Sequence, residues 1–272
     1  MDLKLINDMK LVEQNRQDLL AALREVGEDV DDEAPLSELI DRIRYVGGYC
    51  DIYLACIVRN GDDAGKRRYF SQAEWKAMSV SSQTKYVKIG LALVADGHKL
   101  LIAPDDCTVS ESDTSTLMQW STGSIKVPGL KAYGEGSYGA IDDYDSRGNT
   151  DTILAYQDLV ITEKSYPAAT RARAYKASTQ SANGYEDDTI WDLPSLGHMV
   201  LLMKYCGLIN AAFDFFFASG QFGLVSNGYW TSTNFNGAYN VWAVDFSKGI
   251  LSTQGYVLGI RAVRAVSVID DL

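Results

Sequence analysis

From Leu5 onward the apolar positions Leu5, Met9, Val12, Leu19, Leu23 and Val26 recur in alternating steps of four and three, with Arg16 as the interruption. Such a repeat draws a narrow apolar seam along a helix, which must be buried on its own domain or against copies of itself. About three heptads make a helix that is marginal alone in water, so the seam needs a partner. Arg16 is the kind of polar exception that fixes register or oligomer state. Gly27 and the acidic run after it end this helix, Pro35 starts a second, and Leu36, Leu39, Ile40 and Ile43 mark that helix's apolar face. Gly47 and Gly48 close the unit. Residues 1–46 therefore read as a helical oligomerisation or docking segment, with self-association favoured and packing within the chain as the alternative.

Past Cys50 the pattern changes to short extended runs at 51–58, 86–95 and 99–103, joined by the turn signals Asn60-Gly61 and Asp96-Gly97. Between the first two runs, Ser71 followed by Glu74 is a helix-capping signature, and a short helix there would lay Trp75 and Met78 on a sheet. This makes 47–88 a small β-rich connecting region. Residues 105–150, rich in Gly, Ser, Thr and Asp, read as long structured loops. Helical spacing returns at 168–180 and again at 195–210, where Met199, Leu202, Met203, Cys206 and Ile209 share a face that Gly207 weakens near its end. Strand-like runs at 228–233, 241–246 and 259–268 close the chain, with Lys248-Gly249 as a tight turn. The expected fold class is α+β: an N-terminal helical segment, then a unit of two helices and a terminal antiparallel sheet.

Composition narrows the function. The 272 residues suffice for about two compact domains, and the formal net charge of −11 would repel a nucleic-acid backbone. Cys50, Cys56, Cys107 and Cys206 lack the two-residue spacing of a zinc or redox pair and read as buried free thiols in a reducing compartment. The first residues show no secretory leader, and the apolar stretch 208–218 is interrupted by Asn210 and Asp214, well short of the ~20 residues that span a bilayer. A soluble protein without a membrane span is expected.

The candidate chemistries are thin. Gly134, Gly136 and Gly139 fit the letters of a dinucleotide-binding loop, but no apolar strand precedes them and no helix pattern follows, so a phosphate would find no helix N-terminus. Asp142, Asp143, Asp145 and Asp151 offer the hard oxygens that calcium prefers, yet Arg147 and Leu154 stand at ligand positions of the helix-loop-helix calcium template. A structural ion in this acidic loop stays open. With His98 and His198 as the histidines, neither a metal site nor a nucleophile relay is easily assembled. The expectation is no enzyme, no catalytic residue and no cofactor.

Successive segments carry a resemblance. Asp145-Ser146-Arg147-Gly148-Asn149-Thr150, Ala168-Ala169, Trp191-Asp192-Leu193-Pro194-Ser195, Tyr229-Trp230-Thr231-Ser232-Thr233 and Arg261-Ala262-Val263-Arg264 resemble, in this order, the signatures of C-type-lectin-like domains of the DUF1566 kind. The arrangement is also similar to the variable proteins of diversity-generating retroelements, and it covers roughly 89–268. Asp192 replaces the family's usual aromatic, and Ala262 its proline. More loosely, the N-terminal helices resemble the helical preambles of phage fibre proteins. Read physically, Trp230 and Trp242 would fill the space between a small twisted sheet and the helices. Pro194-Ser195 opens a helix. Arg261 and Arg264, three apart in one strand, would face opposite sides, and whichever faced the core would need a carboxylate or carbonyl partner.

The resemblance implies a C-type-lectin-like ligand-display domain over 89–272, with binding in its C-terminal loops. Asn234, Phe235, Asn236, Tyr239, Asn240, Gln254 and Tyr256 inherit that role by position, and their composition is that of adaptable binding loops, where Tyr supplies rigid contact area and Asn supplies hydrogen bonds. The implied function is a phage virion fibre or attachment protein, assembled in the host cytoplasm and displaying this domain toward a bacterial surface protein or glycan. A homo-oligomer, with a trimer favoured, and contacts to other virion proteins go with it. The alternatives are a structural decoration or fibre subunit and a bacterial surface adhesin.

Overall fold

The computed structural model describes residues 13, 16, 17, 20, 21, 24, 30–35, 50–110, 114–124, 126–134, 138–159, 165–176, 188–217, 223–224, 228–236, 239–257, 259 and 261–272. The chain divides into two compact units, Met1–Asp51 with Val94–His98, and Ile52–Leu93 with Lys99–Leu272. The fold class is α+β, as the periodicities require.

In the first unit Arg16 lies on a helix and donates from Nη1 to the carbonyls of Asp32 (2.7 Å) and Ala34 (3.2 Å), while its Nε meets the Glu13 carboxylate at 3.1 Å. Arg24, two turns further on, reaches the Val30 carbonyl and the Asp32 carboxylate. Leu20, on the same face, is buried, as are Val30 and Ala34. Arg16 thus caps carbonyls of the segment that follows its own helix. The seam residues Leu5, Met9, Val12, Leu19, Leu23 and Val26, the second-helix residues Leu36, Leu39, Ile40 and Ile43, and the glycines Gly27, Gly47 and Gly48 lie outside the described residues. Asp96 and Gly97 have φ of 50° and 78°, the paired left-handed conformation of a two-residue hairpin turn.

The remaining elements are β1 (Cys50–Val58), β2 (Arg67–Phe70), α1 (Gln72–Ala77), α2 (Val80–Gln83), β3 (Tyr86–Ala95), β4 (His98–Ile102), β5 (Ala132–Tyr133), α3 (Ser146–Leu159), α4 (Pro167–Arg173), α5 (Leu196–Lys204), α6 (Cys206–Phe216), β6 (Gly228–Phe235), β7 (Asn240–Asp245), β8 (Ile250–Gly255) and β9 (Val266–Val268). Among the described residues five strands form one sheet in the order β2-β1-β3-β4-β9, and four form a second in the order β5-β6-β7-β8. In the first, β4 and β9 pair antiparallel with Leu100 opposite Val268, so the two ends of the stretch 100–268 lie side by side. In the second, β5 joins β6 in parallel and β6-β7-β8 is an antiparallel meander.

The expected strands at 51–58, 86–95 and 99–103 are β1, β3 and β4. At α1 the capping box is complete, with Ser71 accepting from the Glu74 backbone and Glu74 accepting from that of Ser71. Trp75 is buried there against Phe70 and Tyr86. One core joins the sheets to α3 and α4 through Ile57, Ile89, Leu101, Trp120, Ile153, Ala169, Trp191, Trp230, Val241, Tyr256 and Val263. Burial of such side chains contributes roughly 1.5–3 kcal/mol each.

Four expectations need correction. The loop read at 105–150 ends in a helix, α3, which begins at Ser146. The helix read at 195–210 is two, α5 and α6, bent by 75° at Tyr205, and the second runs on to Phe216. The helix read at 168–180 is α4, which spans Pro167–Arg173, and 177–187 lies outside the described residues. The run 259–268 is not one strand of the terminal sheet. Arg261 and Ala262 bridge to Met118 and Tyr229, whereas Val266–Val268 belongs to the other sheet, so this segment stitches the two sheets together. The third meander strand is instead β8. No single helix among the described residues is long and apolar enough to cross a membrane, and none of the four cysteines is in a disulfide; Cys56 and Cys107 are buried as expected, while Cys50 and Cys206 are half-buried.

Candidate functional site

Three of the signature segments, 145–150, 191–195 and 229–233, meet one another in a largely buried polar clamp. Asp145 accepts the Gly148 N–H at the start of α3 (2.8 Å). At the next residue, Ser146 Oγ accepts the Ser195 N–H (2.7 Å) and lies 2.6 Å from His198 Nδ1. Thr150 Oγ1 accepts the Leu193 N–H, and the Arg147 guanidinium reaches Asp192 at 2.6 Å. Asp192, fully buried, also takes Arg173 Nη2 at 2.6 Å. Burial raises the Asp192 carboxyl's pKa, while the two guanidiniums pull it back toward the ionised form. Asp143 Oδ2 accepts from Asn149 (3.0 Å) and Thr233 (2.6 Å), and Thr233 in turn accepts the Leu196 N–H. At Gly197 an added Cβ would stand 2.6 Å from the Asp143 carbonyl oxygen and 2.8 Å from that of Ile141, so glycine lets α5 approach this loop. The buried polar groups of the clamp, those of Asp143, Ser146, Asn149, Thr150, Asp192 and Thr233, are bonded within the protein.

Arg264 completes this framework. It is the buried member of the arginine pair, donating to the carbonyls of Ala103 (3.0 Å), Pro104 (2.5 Å) and Gly223, with Nε 2.8 Å from Asp106 Oδ1 as an ion contact rather than an aligned hydrogen bond. Carbonyls and a carboxylate are the partners its burial demands. Neither arginine sits in a strand, however, because β9 starts after them.

The remaining candidates gather at one end of the four-stranded sheet. Asn236 N–H donates to the Tyr133 carbonyl (2.8 Å), and Tyr256 N–H to the Tyr239 carbonyl (2.9 Å), so both arms of the β6-β7 hairpin are pinned at its base. Asn240 stands opposite Gly255, and Gln254 opposite Val241. A β-bulge between Trp230 and Asn234 turns the end of β6, as bulges do where a sheet re-aims its side chains. On one face Phe235 packs edge-on against Trp242 (5.5 Å), and Lys131 sits 4.9 Å above the Tyr133 ring. On the other, Tyr239 meets Tyr256 edge-on (6.5 Å), Tyr256 stacks on Trp120 (4.4 Å), and Trp120 meets Tyr166 edge-on (5.3 Å).

Of the seven residues assigned to ligand contact, Asn236 and Tyr239 are exposed, and Phe235, Asn240 and Gln254 are half-buried. Asn234 and Tyr256 are inside, and for them the assignment is withdrawn. The Tyr256 hydroxyl donates to Asn234 Oδ1 at 2.6 Å, and burial pushes the Tyr256 phenol's pKa up. Each satisfies the other's polar group within the core. Trp242 does not fill that core as Trp230 does. It is half-exposed on the opposite face, and its Nε1 is covered without a partner.

Lys131 and Tyr133 are additions at this rim that sequence reasoning missed, because a two-residue strand leaves no periodic signal. Gly136 of the glycine run lies outside the described residues. Among the described residues no group of three or more His, Cys, Asp or Glu could hold a metal ion. In the acidic loop Asp143, Asp145 and Asp151 are each engaged, the last with Arg173.

No protein-family model matches the chain, and no curated protein does so either. Among solved structures, a fimbrial protein from Bacteroides ovatus is similar at 18% sequence identity and a TM-score of 0.41, over 63% of this chain and 36% of that one. The chain thus spans about a third of that protein's length. A likeness of this extent carries no functional assignment.

Proposed function

We propose that 89–272 is a C-type-lectin-like ligand-display domain and that the chain is a phage virion fibre or attachment protein presenting it toward a bacterial surface. The observation that carries this reading is the rim: exposed Asn236 and Tyr239, with Asn240 and Gln254 beside them, stand on a hairpin pinned at both arms over a buried aromatic column. Support for the fold comes from the pairing of β4 with β9, which closes the domain's ends together around helices and a meander. Three of the signature segments, 145–150, 191–195 and 229–233, also clamp one another, as segments that maintain a common fold should. The reading is of a binding protein without catalysis: Ser146, Ser195 and His198, the arrangement nearest to a nucleophile relay, are buried and committed to structure. The ligand is a bacterial surface protein or glycan, residues 1–46 form a homo-oligomer, trimer favoured, or dock to other virion proteins, and the protein resides in the virion.

The test is flow cytometry of the fluorescently labelled chain on a panel of bacterial isolates. Saturable binding to some isolates, reduced at least about tenfold by Asn236→Ala with Gln254→Ala, is expected. Failure to bind any isolate, together with co-sedimentation with purified virions, would instead identify a structural decoration subunit. Export to the cell envelope of the producing bacterium would favour an adhesin. Sedimentation of the full chain beside one lacking residues 1–46 tests the oligomer: loss of the assembled species is expected, and an unchanged oligomer removes the heptad assignment.

A further inference from the structure

We infer that Tyr239 is the anchor of the rim, a tyrosine held in a backbone conformation that disfavours it because its ring is what the ligand meets. This rests on the rim being the binding face. Tyr239 has φ of +63°, in the left-handed region where a bulky side chain is an outlier. Among the described residues Asp96 is the other non-glycine with positive φ, and it belongs to a two-residue Asp-Gly turn that favours it. Tyr239 lacks that justification. Gly237, Asn236 and Asn240 stand within three positions, residue types that accept left-handed backbone readily, yet the position itself carries tyrosine.

Burial does not explain the choice either, since Tyr239 is 44% exposed whereas its ring partner Tyr256 is 1% exposed. What the structure provides is a mount. The Tyr239 carbonyl is held by the Tyr256 N–H, its ring leans on Tyr256, and Tyr256 stacks on Trp120, whose Nε1 donates to the Thr231 carbonyl at 2.9 Å. A ring fixed before binding loses little freedom on contact, which is the advantage of a rigid aromatic anchor. The side chains at the base of the hairpin, Asn236, Asn240 and Gln254, are amides, while Lys131 lies over Tyr133 on β5. The ligand surface this fits is uncharged, offering C–H groups to the ring and hydrogen-bonding groups to the amides.

The test uses the full chain with Tyr239→Gly and Tyr239→Phe, scored by thermal unfolding midpoint and by binding to an isolate that the wild type recognises. Tyr239→Gly should raise the midpoint by about 1–4 °C, because glycine relieves the strain, while lowering cell binding at least about tenfold. Tyr239→Phe should leave the midpoint unchanged and keep binding within about threefold. Wild-type binding should change less than about twofold between roughly 50 and 500 mM salt. A lower midpoint for Tyr239→Gly would make the ring a structural prop, and undiminished binding by that variant would remove it as anchor. Strong weakening by salt would mean a charged ligand. If Tyr239→Gly binds fully while the Asn236→Ala, Gln254→Ala chain does not, only this inference falls. If the wild type binds no isolate, the display reading falls with it.

Discussion

The clamp between α3 and the Trp191–Ser195 segment and the rim at the β6-β7 hairpin both draw on asparagine and other polar residues, and put them to opposite use. In the clamp, Asn149 and Thr233 are buried and both donate to Asp143. At the rim, Asn236 and Tyr239 are exposed; their backbone groups are pinned, the Tyr239 ring leans on Tyr256, and their polar side-chain ends are left toward the outside. The contrast recurs within a single contact, where Tyr256 is inside and Tyr239, one ring away, is outside. Polar composition alone therefore does not mark a binding surface. What separates the regions is whether each polar side chain finds its partner within the chain.

Substitutions can break this contrast in graded steps. Asp192→Ala should be the most damaging, about 3–5 kcal/mol by denaturant unfolding, since it strips Arg147 and Arg173 of the carboxylate they share. Gly197→Ala should cost about 1–3 kcal/mol, because backbone carbonyls cannot yield to the new methyl group. Tyr256→Phe removes one buried hydrogen bond to Asn234 and should cost about 1 kcal/mol by the same measurement. Asn236→Ala, on the rim, should change stability by no more than about 0.5 kcal/mol. A rim substitution as costly as those in the clamp would erase the distinction.

Legibility in the sequence followed the range of the forces. Strands β1, β3 and β4 carry continuous apolar runs, and α1 carries its own capping box, so local pattern suffices for them. Helix α3 escaped because its first turns, Ser146 to Thr150, are polar and read as loop; the residues that hold them, Asp192 to Ser195 and His198, lie more than 40 positions away. Strand β8 escaped because Ser252, Thr253 and Gln254 make no apolar alternation. The crossing of 261–268 from one sheet to the other depends on Met118, Tyr229 and β4, none of them adjacent in sequence. At the rim, the cluster around Asn234 to Tyr256 was legible as a group, but which tyrosine turns inward is set by Trp120 and could not be read locally.

The most direct test of scaffold against display surface is one chain carrying Asn236→Ala, Tyr239→Ala and Gln254→Ala, measured side by side for cell binding and for denaturant midpoint. The account predicts loss of binding with the midpoint unchanged within error. Retained binding, or a chain that unfolds as readily as the Asp192→Ala variant, would contradict it.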